Sequence, residues 1–339
     1  MKFSIKQIAL QAGVSKATVD RALHGRGAVH AQTQRRIEQA IKDLELQLHN
    51  GLASGRTIII DVILHTPARF SQMVVDSLLG EMGSFAPFKI SLRLHIFEEI
   101  SVKEVTKLML RCATDSHGIV LKALDNQEIK HIISQLHQQR VPVITLVTDQ
   151  NQCERFRYIG IENRSAGSTA AYMMARWLKE EQISIAAVIG AEHFHGETER
   201  VEGFCETLKI MAPLLETKRI YGGFGIDALT YNVVKHSLKL NPDIAAVYSV
   251  GGANNAILRA FSDLNRPVKM FIGHDLDSDN RILMAQGKLD LIIQHDLKQD
   301  AKNIFKSILE YHGFIPTMAT EHSEEFSSVS VITPFNMSL

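Results

Sequence analysis

Residues 5–24 constrain this chain most. In Ile5-Lys6-Gln7-Ile8-Ala9 … Gly13-Val14-Ser15-Lys16-Ala17-Thr18-Val19-Asp20-Arg21, two helix signatures flank one glycine. Ile5, Ile8, Ala9 and Ala12 recur at helical spacing, Gly13 suits the left-handed residue that ends a helix, and Ser15 suits the N-cap of the next. Val19, Ala22 and Leu23 continue the apolar stripe, which packs the second helix on the first. Ser15, Lys16, Ala17, Thr18, Asp20 and Arg21 then lie at the start of the second helix, with Lys16, Ala17, Asp20 and Arg21 facing outward. From there a helix-turn-helix meets base edges in the DNA major groove. Arg21 suits a bidentate contact to guanine, and Asp20 either accepts from a cytosine amino group or orients Arg21. Spacing alone leaves open a polar helical hairpin with no nucleic acid.

Charge argues against that alternative. Residues 1–57 carry nine Lys/Arg and four acids, a net +5, and because the whole chain sums to zero the remainder carries −5. A basic head on an acidic body suits a module that binds phosphates. His24-Gly25-Arg26-Gly27-Ala28-Val29-His30 adds backbone amides and the Arg26 cation beside the recognition helix. Thr33 opens a third helix with Ile37, Ala40, Ile41 and Leu44 inward.

A chain of 339 residues, 45% hydrophobic, has material for two or three domains. No apolar run is long enough for a transmembrane span, and the N-terminus leads straight into the first helix rather than a secretory signal; a cytoplasmic protein is expected. Cys112, Cys153 and Cys205 are far apart and read as free thiols.

From Thr57 the pattern changes to β-branched runs (Ile58–Leu64, Ile90–Ile96, Gly118–Leu121, Val141–Val147, Ile185–Ile189, Ala245–Val250, Met270–Gly273, Leu291–Ile293) alternating with amphipathic helical stretches. A plausible last strand starts at Val329. Such alternation predicts parallel sheets with helices on both faces and ligands beyond the carboxyl ends of the strands. More than 250 residues exceed one comfortable core, so two sheets are expected. The fold class is therefore α/β: an N-terminal all-α helix-turn-helix domain followed by a two-lobed body with two parallel sheets.

The order and spacing of several motifs sharpen this. They are Ile8-Ala9…Ala12-Gly13-Val14-Ser15…Thr18-Val19…Arg21, Val141-Pro142-Val143, Tyr158-Ile159-Gly160-Ile161-Glu162-Asn163…Ala166-Gly167, Arg200-Val201-Glu202-Gly203-Phe204, Ile272-Gly273-His274-Asp275 and Gln294-His295-Asp296. Over essentially its whole length the chain resembles the lactose-repressor/galactose-repressor family of bacterial transcription regulators. The resemblance implies a body like the periplasmic sugar-binding proteins, with two lobes joined by three crossovers around a small molecule, and a homodimer. It implies a head at residues 1–47, a hinge at 48–57, a first lobe at 58–161 plus 296–325, and a second at 162–295 plus 326–339.

The same resemblance assigns Arg200 as the ligand arginine and Asp275 as the ligand carboxylate. Glu162 stands where the family has Asp, to contact ligand or else to cap the following helix. Phe224 matches an aromatic plate under the ligand ring, and Phe70 a lining position or ordinary interlobe packing. His295 replaces a common Gln, and the family's strand-end Asn-Asp contact is either absent, its place taken by Val250-Gly251-Gly252-Ala253-Asn254, or supplied by Ser249 or Asn254. In the hinge, Leu52 is the candidate minor-groove wedge, although the segment lacks the family's Pro and is about three residues short, so either the hinge orders only on DNA or the third helix runs on and replaces it. Glu192-His193-Phe194-His195-Gly196-Glu197 invites a metal reading, but it has no thiolate and falls on the cleft rim, where ligand contact or a solvated loop is favoured.

No nucleophile elbow, phosphate-cradling loop or zinc-protease motif is present. The expectation is a DNA-binding regulator without cofactor or metal. It would bind operator DNA and a monosaccharide or polyol effector, with no membrane partner, and repress a sugar-utilisation operon. The competing class is a sugar-binding protein or sugar-processing enzyme with an N-terminal interaction arm.

Overall fold

The structure, a computed structural model, describes residues 3–26, 29–49, 57–178, 180–316 and 326–337. Three helices form the head: α1 (Ile5–Ala12), α2 (Lys16–His24) and α3 (Ala31–His49). Their ends are built by local chemistry. Ser4 and Gln7 form a capping box, Gly13 closes α1 in the left-handed conformation, Ser15 Oγ accepts from Thr18 N, and Gly25 ends α2. Ile8, Ala9, Ala12, Val19, Ile37, Ala40 and Leu44 form a small core, sealed where Arg36 donates to the Ala12 carbonyl at 2.8 Å. Helix α3 continues to His49, past the expected boundary at 47; Leu52 lies outside the described residues.

The body starts with β1 (Thr57–His65), α4 (Ala68–Glu81), β2 (Lys89–Phe97), α5 (Val102–Cys112), β3 (Gly118–Lys122), α6 (Gln127–Gln138), β4 (Val143–Leu146) and β5 (Arg157–Ile159). These strands form one all-parallel sheet in the order β2-β1-β3-β4-β5. There follow α7 (Asn163–Leu178), β6 (Ser184–Val188), α8 (His195–Met211), β7 (Glu216–Ile220), α9 (Asp227–Leu240), β8 (Ile244–Ser249), α10 (Asn254–Ser262), β9 (Met270–His274), α11 (Ser278–Ala285) and β10 (Leu291–His295). The chain closes with α12 (Leu297–Tyr311) and β11 (Val329–Ile332). The second sheet runs β11-β10-β9-β8-β6-β7, parallel except for β11. Both sheets reverse winding direction beside their first strand, which opens a crevice at the strand carboxyl ends.

Apolar clusters cover both faces of each sheet. Helix α12 was not expected from the sequence. Its Leu297, Ala301, Ile304, Phe305 and Ile308 pack on the first sheet beside Val74 and Leu78 of α4, although β10 before it and β11 after it belong to the second. The chain therefore passes between the sheets three times: after β5, after β10 and before β11. Strands β5 and β7 were also unforeseen, one being three residues long and the other the polar edge Glu-Thr-Lys-Arg-Ile.

Helices α7 and α8 cross at unusually close range because glycines face backbone at the crossing. A Cβ on Gly167 would lie 1.8 Å from the Arg200 carbonyl oxygen, and one on Gly203 would lie 2.1 Å from that of Arg164. The crossing fixes where Arg200 leaves α8. Gly167→Ala must push the helices apart, at a cost of about 2 kcal/mol or more. Urea denaturation is expected to show a lowered midpoint with an unchanged slope.

Candidate functional site

Two regions carry chemistry. On the head, Lys16, Ala17 and Arg21 are exposed on α2, with Asp20 beside them. Asp20 pairs with His24 at 3.0 Å and approaches Arg26 at 3.8 Å, so it orients these two and not Arg21. The Arg21 guanidinium lies along its own helix, donating to the Ala17 carbonyl and the Thr18 hydroxyl. Ser15 and Thr18 bond to each other in the cap.

The second region is a cleft where the carboxyl ends of the two sheets face one another. It encloses about 630 Å³ of space between protein atoms, part of it open to solvent. That suits a small ligand. From the first sheet, Thr66, Arg69, Phe70, Lys122 and Thr148 line it; Glu197, Arg200, His274 and Asp275 face them from the second. Two lining residues, Val147 and Asp275, have positive φ (64° and 60°). Strain of this kind concentrates at sites whose surroundings over-determine them.

Arg200 is buried and directed by two partners. Its Nε donates to Asn163 Oδ1 at 2.8 Å and its Nη2 to His295 Nε2 at 2.9 Å. His295 passes the polarity on, its Nδ1 donating to Asp275 Oδ1 at 2.5 Å. An arginine can only donate, so His295 is the Nδ1–H tautomer here. Burial pushes the Asp275 carboxyl up, but the hydrogen bond from His295 and the Arg200 charge pull it the other way, and the group lies below its ordinary value. At its other end the network reaches the first crossover, where Asn163 donates to the Tyr158 hydroxyl and that hydroxyl to the Ile161 carbonyl.

Of the residues expected in this site, the fold brings Phe70, Arg200 and Asp275 to the cleft wall and sets His295 behind them as the bridge. Three others are placed elsewhere. Glu162 takes its alternative role, accepting from Arg164 N and Ser165 N as the cap of α7, which leaves its carboxylate committed to the helix end. Phe224 is 39% exposed and does not line the cleft; Asn254 is buried, its Nδ2 tying α10 to Asn280 of α11.

Sequence reasoning passed over Lys122, His274 and Arg69, and had Glu197 only as part of the rim segment read as ligand contact or solvated loop. The clearest missed signal is Gly-Ile-Val-Leu-Lys, an apolar strand ending in a cation at its carboxyl end, where ligands bind. Lys122 Nζ sits 4.4 Å from the Phe194 ring centre and 5.8 Å from that of Phe70. Burial draws its ammonium down to about 8, with Glu197 pulling upward and Arg200 adding to the fall. Burial also raises the Glu197 carboxyl, which accepts from Gly190 N at 2.6 Å. His274 is held neutral by burial and by the Arg200 charge.

Both rims are latched. Arg69 of α4 reaches across to Asp227 at 3.2 Å, Asp279 at 3.3 Å, Asp277 at 3.7 Å and the Gly225 carbonyl at 3.0 Å. Opposite, Gly196 N donates to the Thr148 hydroxyl and Asp125 N to the His193 carbonyl. In this rim segment His195 pairs with Glu199 at 3.2 Å and bonds to Asn151, and among the described residues no metal-like cluster includes it. Asp61, His95 and Cys112 do approach one another, but Arg93 occupies both Asp61 oxygens, so the cluster is an ion-pair network.

The chain thus joins a two-sheet body with a charged cleft of the periplasmic-binding-protein type to a separate helix-turn-helix head of the type that reads DNA. The chain belongs to the periplasmic binding protein domain family, matched over residues 112–311, and residues 4–47 match the bacterial regulatory proteins of the lacI family. It is 25% identical over 197 residues to a catabolite control protein A of Staphylococcus epidermidis and 22% identical over 209 residues to that of Streptococcus mutans. The matches cover 57% and 61% of this chain and span 57% and 60% of the length of those relatives. In structure it is similar to GanP, a glucose-galactose binding protein from Geobacillus stearothermophilus (TM-score 0.73, 17% identity, 84% of this chain and 100% of the other). A carbohydrate transporter from Acidothermus cellulolyticus in complex with myo-inositol is also similar (TM-score 0.70, 16% identity, 83% and 96%). These two likenesses establish the fold. No helix among the described residues is long and apolar enough to cross a membrane.

One acid at the crossovers gives a pH signature. Burial raises Asp300 of α12 to about 6, against the pull of His295 and the Ser327 hydroxyl. A carboxyl whose folded value lies above its unfolded value favours the native state at low pH. That contribution is lost as pH rises from about 4 to about 6. Asp300→Asn is expected to gain about 3 kcal/mol on the parent between pH 4 and 7, read from paired urea melts.

Proposed function

We propose that the chain is a ligand-responsive, sequence-specific DNA-binding transcription regulator, a repressor of a sugar or polyol utilisation operon acting as a homodimer. The observation that carries this reading is the pairing, in one chain, of a capped helix-turn-helix presenting Lys16, Ala17 and Arg21 with an interlobe cleft built around Arg200 and Asp275. Lys16 and Arg26 steer toward phosphates, Arg21 swings off its helix to read guanine, and Ser15 and Thr18 hold the helix start. Leu52 acts between the paired heads as a minor-groove wedge.

Effector binding in the cleft changes the angle between the lobes. The path is physical: Arg200, directed by Asn163 and His295, joins the cleft to the crossover at Tyr158, and Arg69 joins the opposite lobe to three acids. A ligand that binds one lobe angle better than another shifts the population, and linkage requires DNA to change ligand affinity by the same factor.

Two variants separate the modules. Arg21→Ala is expected to lose sequence preference by about tenfold or more in operator titrations while binding ligand in the cleft normally. Arg200→Ala, checked for folding by circular dichroism, is expected to hold DNA but ignore the ligand. A single variant that abolishes both activities in a folded protein would overturn the two-module reading.

A further inference from the structure

The cleft is short of acceptors on one side. Lys122 is 94% buried as counted by its 6% exposure, and among the described residues its ammonium has neither a hydrogen bond nor an ion pair within 4 Å; two aromatic rings alone hold it in place. Arg200 uses Nε and Nη2 on Asn163 and His295, and no described group accepts from Nη1. The Tyr248 hydroxyl has His274 Nε2 as its one described partner at 2.9 Å; with the hydroxyl donating, which leaves the fewest unmet groups, the His274 proton lies on Nδ1, buried and without a described partner. Three unanswered donors from β3, α8 and β9 thus line one cleft.

The acids nearby each have one oxygen engaged. Glu197 accepts from backbone at Gly190, Asp275 from His295, and Asp277 from Asn280 N with Arg69 beside it. A neutral sugar would meet these donors with uncharged hydroxyl oxygens, the weaker kind of acceptor, and would leave Lys122 with only the more distant Glu197 and Asp275 charges to balance it. An anionic group answers all three donors at once, by the charge-assisted bonds that are strongest in a dry site.

We propose that the ligand of this cleft is a polyhydroxylated acid of monosaccharide size, its carboxylate or phosphate oxygens held by Lys122 Nζ, Arg200 Nη1 and His274 Nδ1 and its hydroxyls turned toward Asp275. The Phe70 and Phe194 rings supply apolar walls for its C–H face. This narrows the effector assigned above and rests on that reading of the cleft.

The test is isothermal titration of the full chain with matched pairs: galacturonate against galactose, gluconate against sorbitol, glucose 6-phosphate against glucose, and ribose 5-phosphate against ribose. At least one acid is expected to bind tenfold or more tighter than its neutral counterpart, and whether it is a sugar acid or a sugar phosphate tells the two anions apart. Lys122→Met is expected to remove that preference; Lys122→Arg, which keeps the charge, is expected to restore part of it. Equal or tighter binding of the neutral partner, an undiminished preference in a folded Lys122→Met protein, or no saturable binding by any acid overturns the proposal. Parallel DNA titrations separate this from the regulatory reading. A neutral sugar that releases DNA removes the acid alone, whereas an acid that binds without changing DNA retention keeps the acid and removes the regulation.

Discussion

The hydrogen-bonded line Asp275–His295–Arg200–Asn163–Tyr158 is what the body is arranged around. It draws one residue each from the ends of β9 and β10, from α8, from the start of α7 and from β5, and every member is buried. In a low-dielectric interior such a network is stable only when each member is satisfied, and removing one partner strands a charge at a cost of several kcal/mol. The surrounding elements must therefore hold these five side chains in place. The glycine crossing of α7 on α8 does this for Arg200 and Asn163, and the left-handed backbone at Asp275 does it for the carboxylate.

Because the network starts in the second sheet and ends at the first crossover, the cleft is joined by hydrogen bonds to a segment that links the two lobes. The rims add to this. Arg69 binds one mouth of the cleft through three acids, and the Thr148 hydroxyl and the Asp125 backbone bind the other. These are modest, partly solvated contacts, of the kind that can open and close without disturbing either sheet.

Much of the architecture was legible because it is written locally. The head followed from caps and 3.6-residue spacing, and its expected apolar positions Ile8, Ala9, Ala12, Val19, Ile37, Ala40 and Leu44 form its core. Longer strands announced themselves through β-branched runs. Strand β5, with three residues, and β7, a polar edge, carry too little apolar signal to stand out, whereas α12 had both an Asp296 cap and a clear stripe and was simply passed over. In the site, Arg200, Asp275 and Phe70 were anticipated from motif order. Glu162 was not separable from a helix cap, since the same carboxylate immediately before a helix can do either job, and the backbone amides of α7 claimed it.

The sequence by itself determined the classes of element, the basic head on an acidic body and the presence of two parallel sheets, because propensity, capping and hydrophobic period act over a few residues and survive without tertiary context. Only the tertiary structure decided what those residues face. Lys122 is an ordinary strand-end lysine until the second sheet closes over it, and His274 and Glu197 become cleft residues only when their sheet is turned toward the first. That decision rests on contacts between segments tens to more than a hundred residues apart. It depends on which acceptors are already taken, and sums over the folded whole of this kind are carried by no local pattern.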